Sequence, residues 1–209
     1  MGVENFNFSH FFENKIHASI EKESFDIMNC KLAVPIQSHS CNVKFITESG
    51  TYDNVDGLVT CKKYNITLSI KVADCIPLYI FDPKTQFYGL IHSGWKGTKN
   101  HIIKNALRIF FNKANSNPKD IIILIGPHIK DCCYEIDWDV AQYFSFVSEN
   151  KLKNKWMLNL EKEIIKDALE IGISNKNIHS SNICTFESLN CESYRRDKKN
   201  SKRMLGILG

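Results

Sequence analysis

His39, Cys75 and His92 are the residues whose types suit them to act together. They offer one soft thiolate and two borderline imidazoles. Three such protein ligands leave the fourth tetrahedral position open, the arrangement of a catalytic rather than a structural zinc. An open zinc lowers the pKa of its bound water to about 7. The same atoms allow a second chemistry without metal, a Cys75–His92 pair in which the imidazole favours the thiolate nucleophile. A third reading is a buried cysteine packed beside a core histidine. Spacing alone leaves all three open.

The elements that must position these residues are partly legible. Val72–Thr98 reads VADCIPLYIFDPKTQFYGLIHSGWKGT. Two apolar runs, Ile76–Phe81 and Phe87–Ile91, flank a turn built on Asp82, Pro83 and Lys84, the pattern of two buried strands joined by a tight connection. Cys75 opens the first run and His92 ends the second, so a hairpin brings thiol and imidazole side by side. Upstream, Lys31–Ile46 reads as a strand to Ile36, a polar break at 37–40 and a resumed strand over Val43–Ile46. His39 sits in the break. Gly50–Asn54 reads as a loop. Ile66, Leu68, Ile70 and Val72 then alternate with polar residues, a half-buried strand that runs into Asp74-Cys75.

Past His92, the Ser93–Thr98 turn feeds a helix with apolar positions Ile102, Ile103, Ala106, Leu107, Phe110 and Phe111, capped by Thr98 or Asn100. A glycine-rich strand-to-helix turn can present backbone N–H groups to an anion such as phosphate. Further strands are expected over Asp120–Ile125, Cys133–Ile136 and Ile178–Phe186, and a last one at the C-terminus. Helices are expected over Trp138–Phe146 and Leu158–Ile171, with Gly172 closing the second. The Phe6–Phe12 segment reads as an edge strand or part of an interface.

Composition bounds the function classes. With 43% apolar and 24% charged residues over 209 positions, this is an ordinary soluble globule large enough for a core without disulfides. A net charge of +4 does not argue for nucleic acid, and no apolar run approaches a membrane span. The N-terminus lacks the basic and apolar regions of a secretory signal, and Phe6 stands where a myristoylation motif wants Ser or Thr. Eight cysteines without a signal or a repeated C-x-x-C pattern point to the cytoplasm, and to small buried hydrophobes rather than a zinc knuckle. Three of only four arginines, Arg195, Arg196 and Arg203, cluster near the C-terminus of a lysine-biased chain, which suggests a place where the planar fork matters, although a solvated basic tail has the same composition. Nothing in the chain specifies an oligomeric state.

The segments VADCIPLYIFD, IHSGWKGT, IGPHIKDCCYEI and CT followed by SYRRD occur in order at suitable distances. Together they resemble the laccase-domain family, also called the multicopper polyphenol oxidoreductase or purine nucleoside phosphorylase family, one bacterial role of which is peptidoglycan editing. The resemblance runs from about Pro35 to Gly209. It implies one zinc on His39, Cys75 and His92. It also implies an α+β fold of layered α/β/β/α mixed sheets in a single domain over residues 1–209, with 1–30 weakly assigned, similar to cytotoxic necrotizing factor-like cysteine hydrolases. The implied activities are phosphorolysis of adenosine, inosine and methylthioadenosine, and deamination of adenosine, with a cell-wall hydrolase, a copper-dependent phenol oxidase and a non-enzymatic interaction domain as alternatives.

A multicopper oxidase needs more histidines than this chain places near its motifs, where His39, His92 and His128 are the ones available, so copper is disfavoured against zinc. Phosphorolysis needs an anion pocket, for which Lys96, Arg195 and Arg196 are the candidates. Asp74 is the acid or base beside Cys75 and His92, unless it caps a strand end. The expected partners are therefore a nucleoside and phosphate. The chain departs from the family in lacking its Asn-Arg segment, in reading GWKG for GWRG, and in carrying Cys191 where an aromatic precedes SYRR. The lysine exchanges a bidentate fork for a point charge, so substrate preference is where this chain should differ.

Overall fold

The computed structural model describes residues 5–21 and 30–209, so Gly2, the position a myristoyl group would need, lies outside them. The strands in chain order are β1 (Phe6–Asn7), β2 (Ala18–Glu21), β3 (Leu32–Ile36), β4 (Val43–Phe45), β5 (Gly50–Asp53), β6 (Gly57–Cys61), β7 (Thr67–Val72), β8 (Ile76–Asp82), β9 (Phe87–Ser93), β10 (Ile122–Ile125), β11 (Glu135–Ile136), β12 (Val147–Asn150), β13 (Lys155–Leu158), β14 (Ile178–Ser180) and β15 (Met204–Leu208). The helices are α1 (Trp95–Lys99), α2 (Ile102–Ala114), α3 (Trp138–Ala141), α4 (Leu160–Glu170) and α5 (Tyr194–Asp197).

Two mixed six-stranded sheets dominate. The first has the order β1-β2-β15-β7-β3-β5 and the second β14-β10-β8-β9-β6-β4; β11-β13-β12 form a small third sheet. The expected hairpin is β8–β9, antiparallel with Pro77 opposite His92 and Ile76 opposite Ser93. Both strands are buried along their whole length, which explains their continuous apolar runs.

Alternate residues of the second sheet serve two cores. Val59, Ile76, Leu78, Ile80 and Ile91 face a helical layer in which α2 contributes Ile102, Ile103, Ala106, Leu107 and Phe110, and α4 contributes Ile164 and Ala168. Leu58, Tyr79, Phe81, Tyr88 and Leu90 face the first sheet and meet Leu68, Ile70, Val72, Met204 and Leu208. At roughly 1.5–3 kcal/mol for each large apolar side chain, these interfaces set the relation of the layers. The result is an α+β arrangement of helices, sheet and sheet. Among the described residues, neither core contains the second helical layer expected outside the first sheet.

Several boundaries differ from the sequence reading. Gly50–Asp53 is an edge strand paired in parallel with β3, although glycine and alternating polar residues gave it the look of a loop. The helix expected over Trp138–Phe146 stops at Ala141. Ahead of α4 the chain forms the β12–β13 hairpin. The strand expected over Ile178–Phe186 ends at Ser180, and only a single bridge, Cys184 to His128, continues it. Neither Thr98 nor Asn100 caps α2: a short helix intervenes, and His101 stands at the N-cap in a left-handed conformation (φ 56°). Phe6 does lie in an edge strand, while Phe8 and Phe12 enter the core. Cysteines 61, 184 and 191 are buried, so most of the eight are not core hydrophobes.

Candidate metal centre

His39, Cys75 and His92 converge. One ligand atom from each lies within 4.8 Å of the others. The two imidazoles meet edge to face with centroids 4.8 Å apart. His39 is exposed, Cys75 half-buried and His92 buried, so the cluster is rooted in the protein and open on one side.

The main holder of this arrangement is Asp56, a residue that sequence reading passed over. It is fully buried at the entry to β6. Its Oδ1 accepts from His92 Nδ1 at 2.8 Å and from the main-chain N–H of His39 at 3.0 Å. Oδ2 accepts from the N–H of Ser40 at 2.7 Å, the Ser40 hydroxyl at 2.7 Å and the N–H of Ser38 at 3.2 Å. Three successive N–H groups thus curl around one carboxylate, an anion-binding nest. The grip holds His39 in the left-handed region (φ 58°), which few side-chain-bearing residues occupy. It also occupies Nδ1 of His92 and leaves Nε2 for a ligand, the carboxylate–histidine pattern that fixes tautomer and ring direction at metal sites. An Asp-Gly pair before an apolar run reads as a turn. Its histidine partner stands 36 residues on, so nothing local marks it.

The remaining space is kept by Gly94. A Cβ there would stand 3.0 Å from Cys75 Sγ and 3.4 Å from His39 Cδ2. Two nitrogens and one thiolate around such a gap fit a zinc ion with one open position.

The electrostatics favour ionised ligands. Burial raises the Cys75 thiol, but hydrogen bonds and charge from His39 and His92 outweigh it and bring its pKa down to about 7. Burial lowers His92, yet the bonds to Asp56 and Cys75 raise it to about 9. Burial also raises Asp56, and its bonds to His92 and Ser40 hold it well below the usual carboxylate range. Without metal the pair is therefore thiolate and imidazolium between pH 7 and 9. A divalent ion needs the imidazole neutral, so its uptake in that window releases one proton from His92, and a second from Cys75 below pH 7. Zinc affinity is expected to rise about tenfold per pH unit from 7 to 9, more steeply below 7, and to level off above 9. Titration calorimetry in buffers of different ionisation enthalpy measures the proton count, and a pH-independent affinity would contradict it.

The triad opens into a cavity of about 790 Å³, whose wall includes Asp74, Tyr134, Tyr194, Arg195 and Arg203. Asp74 has a positive φ of 85°, and its carboxylate is well held: Oδ1 accepts from Thr185 Oγ1 at 2.7 Å and Oδ2 from the N–H of Arg195 at 2.6 Å. Arg195 donates through Nη1 to Glu135 O at 2.5 Å and lies over the ring of Tyr134, 5.2 Å from its centroid.

The other two basic candidates are placed elsewhere. Lys96 is exposed above Trp95, 5.6 Å from the ring centroid, and does not line the cavity. Arg196 also stays out of it. Its Nη1 donates to the carbonyls of Thr185, Phe186 and Ser188 at 3.0–3.1 Å, and Nη2 to that of Cys191 at 2.8 Å, while Asp197 receives Nε and Nη2. This fork organises the 185–191 turn. Arg196→Ala is expected to destabilise the protein by about 2–4 kcal/mol through the carbonyls left unpaired, seen as a lower denaturation midpoint. Arg203, not singled out for the site by sequence, does reach the cavity wall beside Tyr194.

The chain is 32% identical over 162 residues to the purine nucleoside phosphorylase YlmD of Bacillus subtilis (strain 168), across 74% of this chain and 58% of that protein. The chain thus spans less than two thirds of that relative's length. It is 30% identical over 206 residues to the purine nucleoside phosphorylase SACOL1200 of Staphylococcus aureus (strain COL), covering 90% and 76%. Among solved structures it is similar to YlmD from Geobacillus stearothermophilus, with a TM-score of 0.80 and 27% identity over 86% of this chain and 73% of that one. The hypothetical protein YfiH of Bacillus licheniformis shares the fold, with a TM-score of 0.82 and 24% identity over 94% and 93%. The sequence model described as multi-copper polyphenol oxidoreductase laccase extends over residues 15–209, from just ahead of β2 to the last residue, and includes all three residues of the triad. The chain belongs to that family.

Proposed function

We propose that the protein is a zinc-dependent purine nucleoside phosphorylase acting on adenosine, inosine and methylthioadenosine. The observation that carries this reading is the open His39–Cys75–His92 cluster at the end of a cavity walled by tyrosines and arginine. The names of the similar proteins support it. A cavity of about 790 Å³ lies within the range of small-molecule sites.

In phosphorolysis a phosphate oxygen bonds to the ribose C1′ as the bond to the purine nitrogen breaks, and the departing base takes up a proton. A zinc ion on the three ligands would supply a Lewis acid with a vacant position. Asp56 holds His92 in one tautomer and the 38–40 loop in one shape, so the ligands need little rearrangement. Arg195, anchored by Asp74 and Glu135, presents guanidinium donors suited to a phosphate oxygen. Arg203 shares that wall, and it replaces Lys96 and Arg196 as the second cation of the reading. Tyr134 and Tyr194 offer ring faces for the base. Asp74 borders the cavity and stands as the group that relays to the base the proton given up by an attacking dihydrogen phosphate.

A second reading rests on the Cys75 thiol, which its histidine neighbours bring down to about 7. Such a thiolate could attack an amide without metal, as a cell-wall hydrolase would require. Assays of the three nucleosides with and without phosphate, on zinc-loaded and zinc-stripped protein, separate the alternatives. Release of free base that needs both zinc and phosphate is expected. Ammonia release from adenosine without phosphate would point to deamination, and absence of nucleoside turnover by zinc-loaded protein would reject the proposal.

A further inference from the structure

Outside the triad, a second group of ligating side chains gathers at Cys132, Cys133, Cys184 and Glu187, with one ligand atom from each within 4.8 Å of the others. We propose that these four residues form a structural zinc site, with three thiolates and one carboxylate closing the tetrahedron. Sequence spacing hid it, because two ligands are adjacent and the others follow after 51 residues, a pattern unlike any zinc knuckle.

The geometry suits a metal better than a disulfide between the neighbours. Adjacent Cα atoms stand about 3.8 Å apart, short of the roughly 4.4–6.8 Å that disulfides span. The two vicinal sulfurs, at 3.1 Å, would therefore close only with strain. Cys132 Sγ and Cys184 Sγ are 3.8 Å apart. A tetrahedral site with bonds of about 2.3 Å to sulfur has an edge of about 3.8 Å. A small turn of the exposed Cys132 side chain lengthens the short 132–133 edge.

The surroundings suit a charged sulfur. Cys184 is buried, and the N–H groups of Lys130, Glu187 and Phe186 are directed at its sulfur, the first at 3.5 Å. Such outer hydrogen bonds offset the negative charge that several thiolates concentrate around one ion. Four protein ligands leave no open position, which marks a structural rather than a catalytic ion. Cys132 and Glu187 are exposed and give the metal a path in.

The site joins two parts of the cavity wall. Cys132 and Cys133 precede Tyr134, which lines the cavity. Cys184 precedes Thr185, whose hydroxyl holds Asp74 next to Cys75. An ion here ties the 130–134 loop to the 184–188 turn, and so fixes the part of the cavity wall that Tyr134 and Asp74 form.

Metal analysis of protein purified without chelator under reducing conditions tests the proposal. Two zinc ions per chain are expected. Cys75→Ala should retain one, and Cys132→Ser combined with Glu187→Gln should also retain one, at surface positions where folding is not at risk. Cobalt-loaded Cys75→Ala should show sulfur-to-metal charge transfer of three-thiolate strength, falling by about a third with Cys132→Ser. The ion should also raise the denaturation midpoint of Cys75→Ala, and not that of the Cys132→Ser/Glu187→Gln variant carrying the same change. A single zinc in the parent chain that disappears in Cys75→Ala would overturn the proposal. So would mass-spectrometric detection of a Cys132–Cys184 disulfide in place of the second ion.

Discussion

Cys75→Ala is expected to abolish nucleoside turnover and zinc retention at the triad while the fold persists. Cys75 is only half-buried and stands in a connection between strands, so truncating it removes little packed volume. What it removes is the one thiolate among the three ligands. Losing an outer-shell partner costs a metal site about 10–100-fold in affinity, and losing a ligand should exceed that. The remaining imidazoles would still face each other, with no sulfur between His39 and Gly94. Zinc content, circular dichroism and release of free base from inosine in phosphate buffer check the three parts separately. Turnover that survived in a folded, zinc-free variant would remove the triad from the chemistry.

Asp56→Ala is expected to harm both stability and metal binding. Its buried carboxylate is the shared acceptor for the N–H groups of Ser38, His39 and Ser40, the Ser40 hydroxyl and His92 Nδ1. Removing it leaves those donors without a partner, with a cost of about 3–5 kcal/mol. The left-handed conformation at His39 loses its support as well. Asp56→Asn separates the two roles. The amide keeps most of the shape and loses the charge, so the variant should fold and bind zinc about 10–100-fold more weakly. Denaturant titration of the metal-free proteins and competition with a chromophoric zinc chelator give the two quantities. Unchanged zinc affinity in Asp56→Asn would mean that the aspartate serves the loop alone.

The sequence was most legible where burial and pattern coincide. The run of apolar residues on either side of Asp82 and Pro83 left one workable structure, and the β8–β9 register then set Cys75 beside His92. The α2 and α4 stripes were readable for the same reason. Short edge strands were not, since no residue of β5 or β12 is buried and both owe their conformation to a neighbouring strand. Charged residues were the least legible. Arg195 and Arg196 are adjacent and chemically identical, yet one lines the cavity and the other binds four carbonyls of the preceding 185–191 turn. That difference is set by the direction of two consecutive side chains at α5. Asp56 was hidden because the groups it satisfies come from a distant loop and from the end of β9.

Both His39 and Cys75 lie where the chain leaves the first sheet for the second, one between β3 and β4, the other between β7 and β8, while His92 ends a strand of the second sheet. An ion gripping all three would act as a rivet through the seam of the sandwich. Shear between the layers would pull its ligands apart, and stripping the ion would let that end of the seam breathe. Amide protons at Val72 and Ile76 should then exchange faster, ahead of those deeper in the strands.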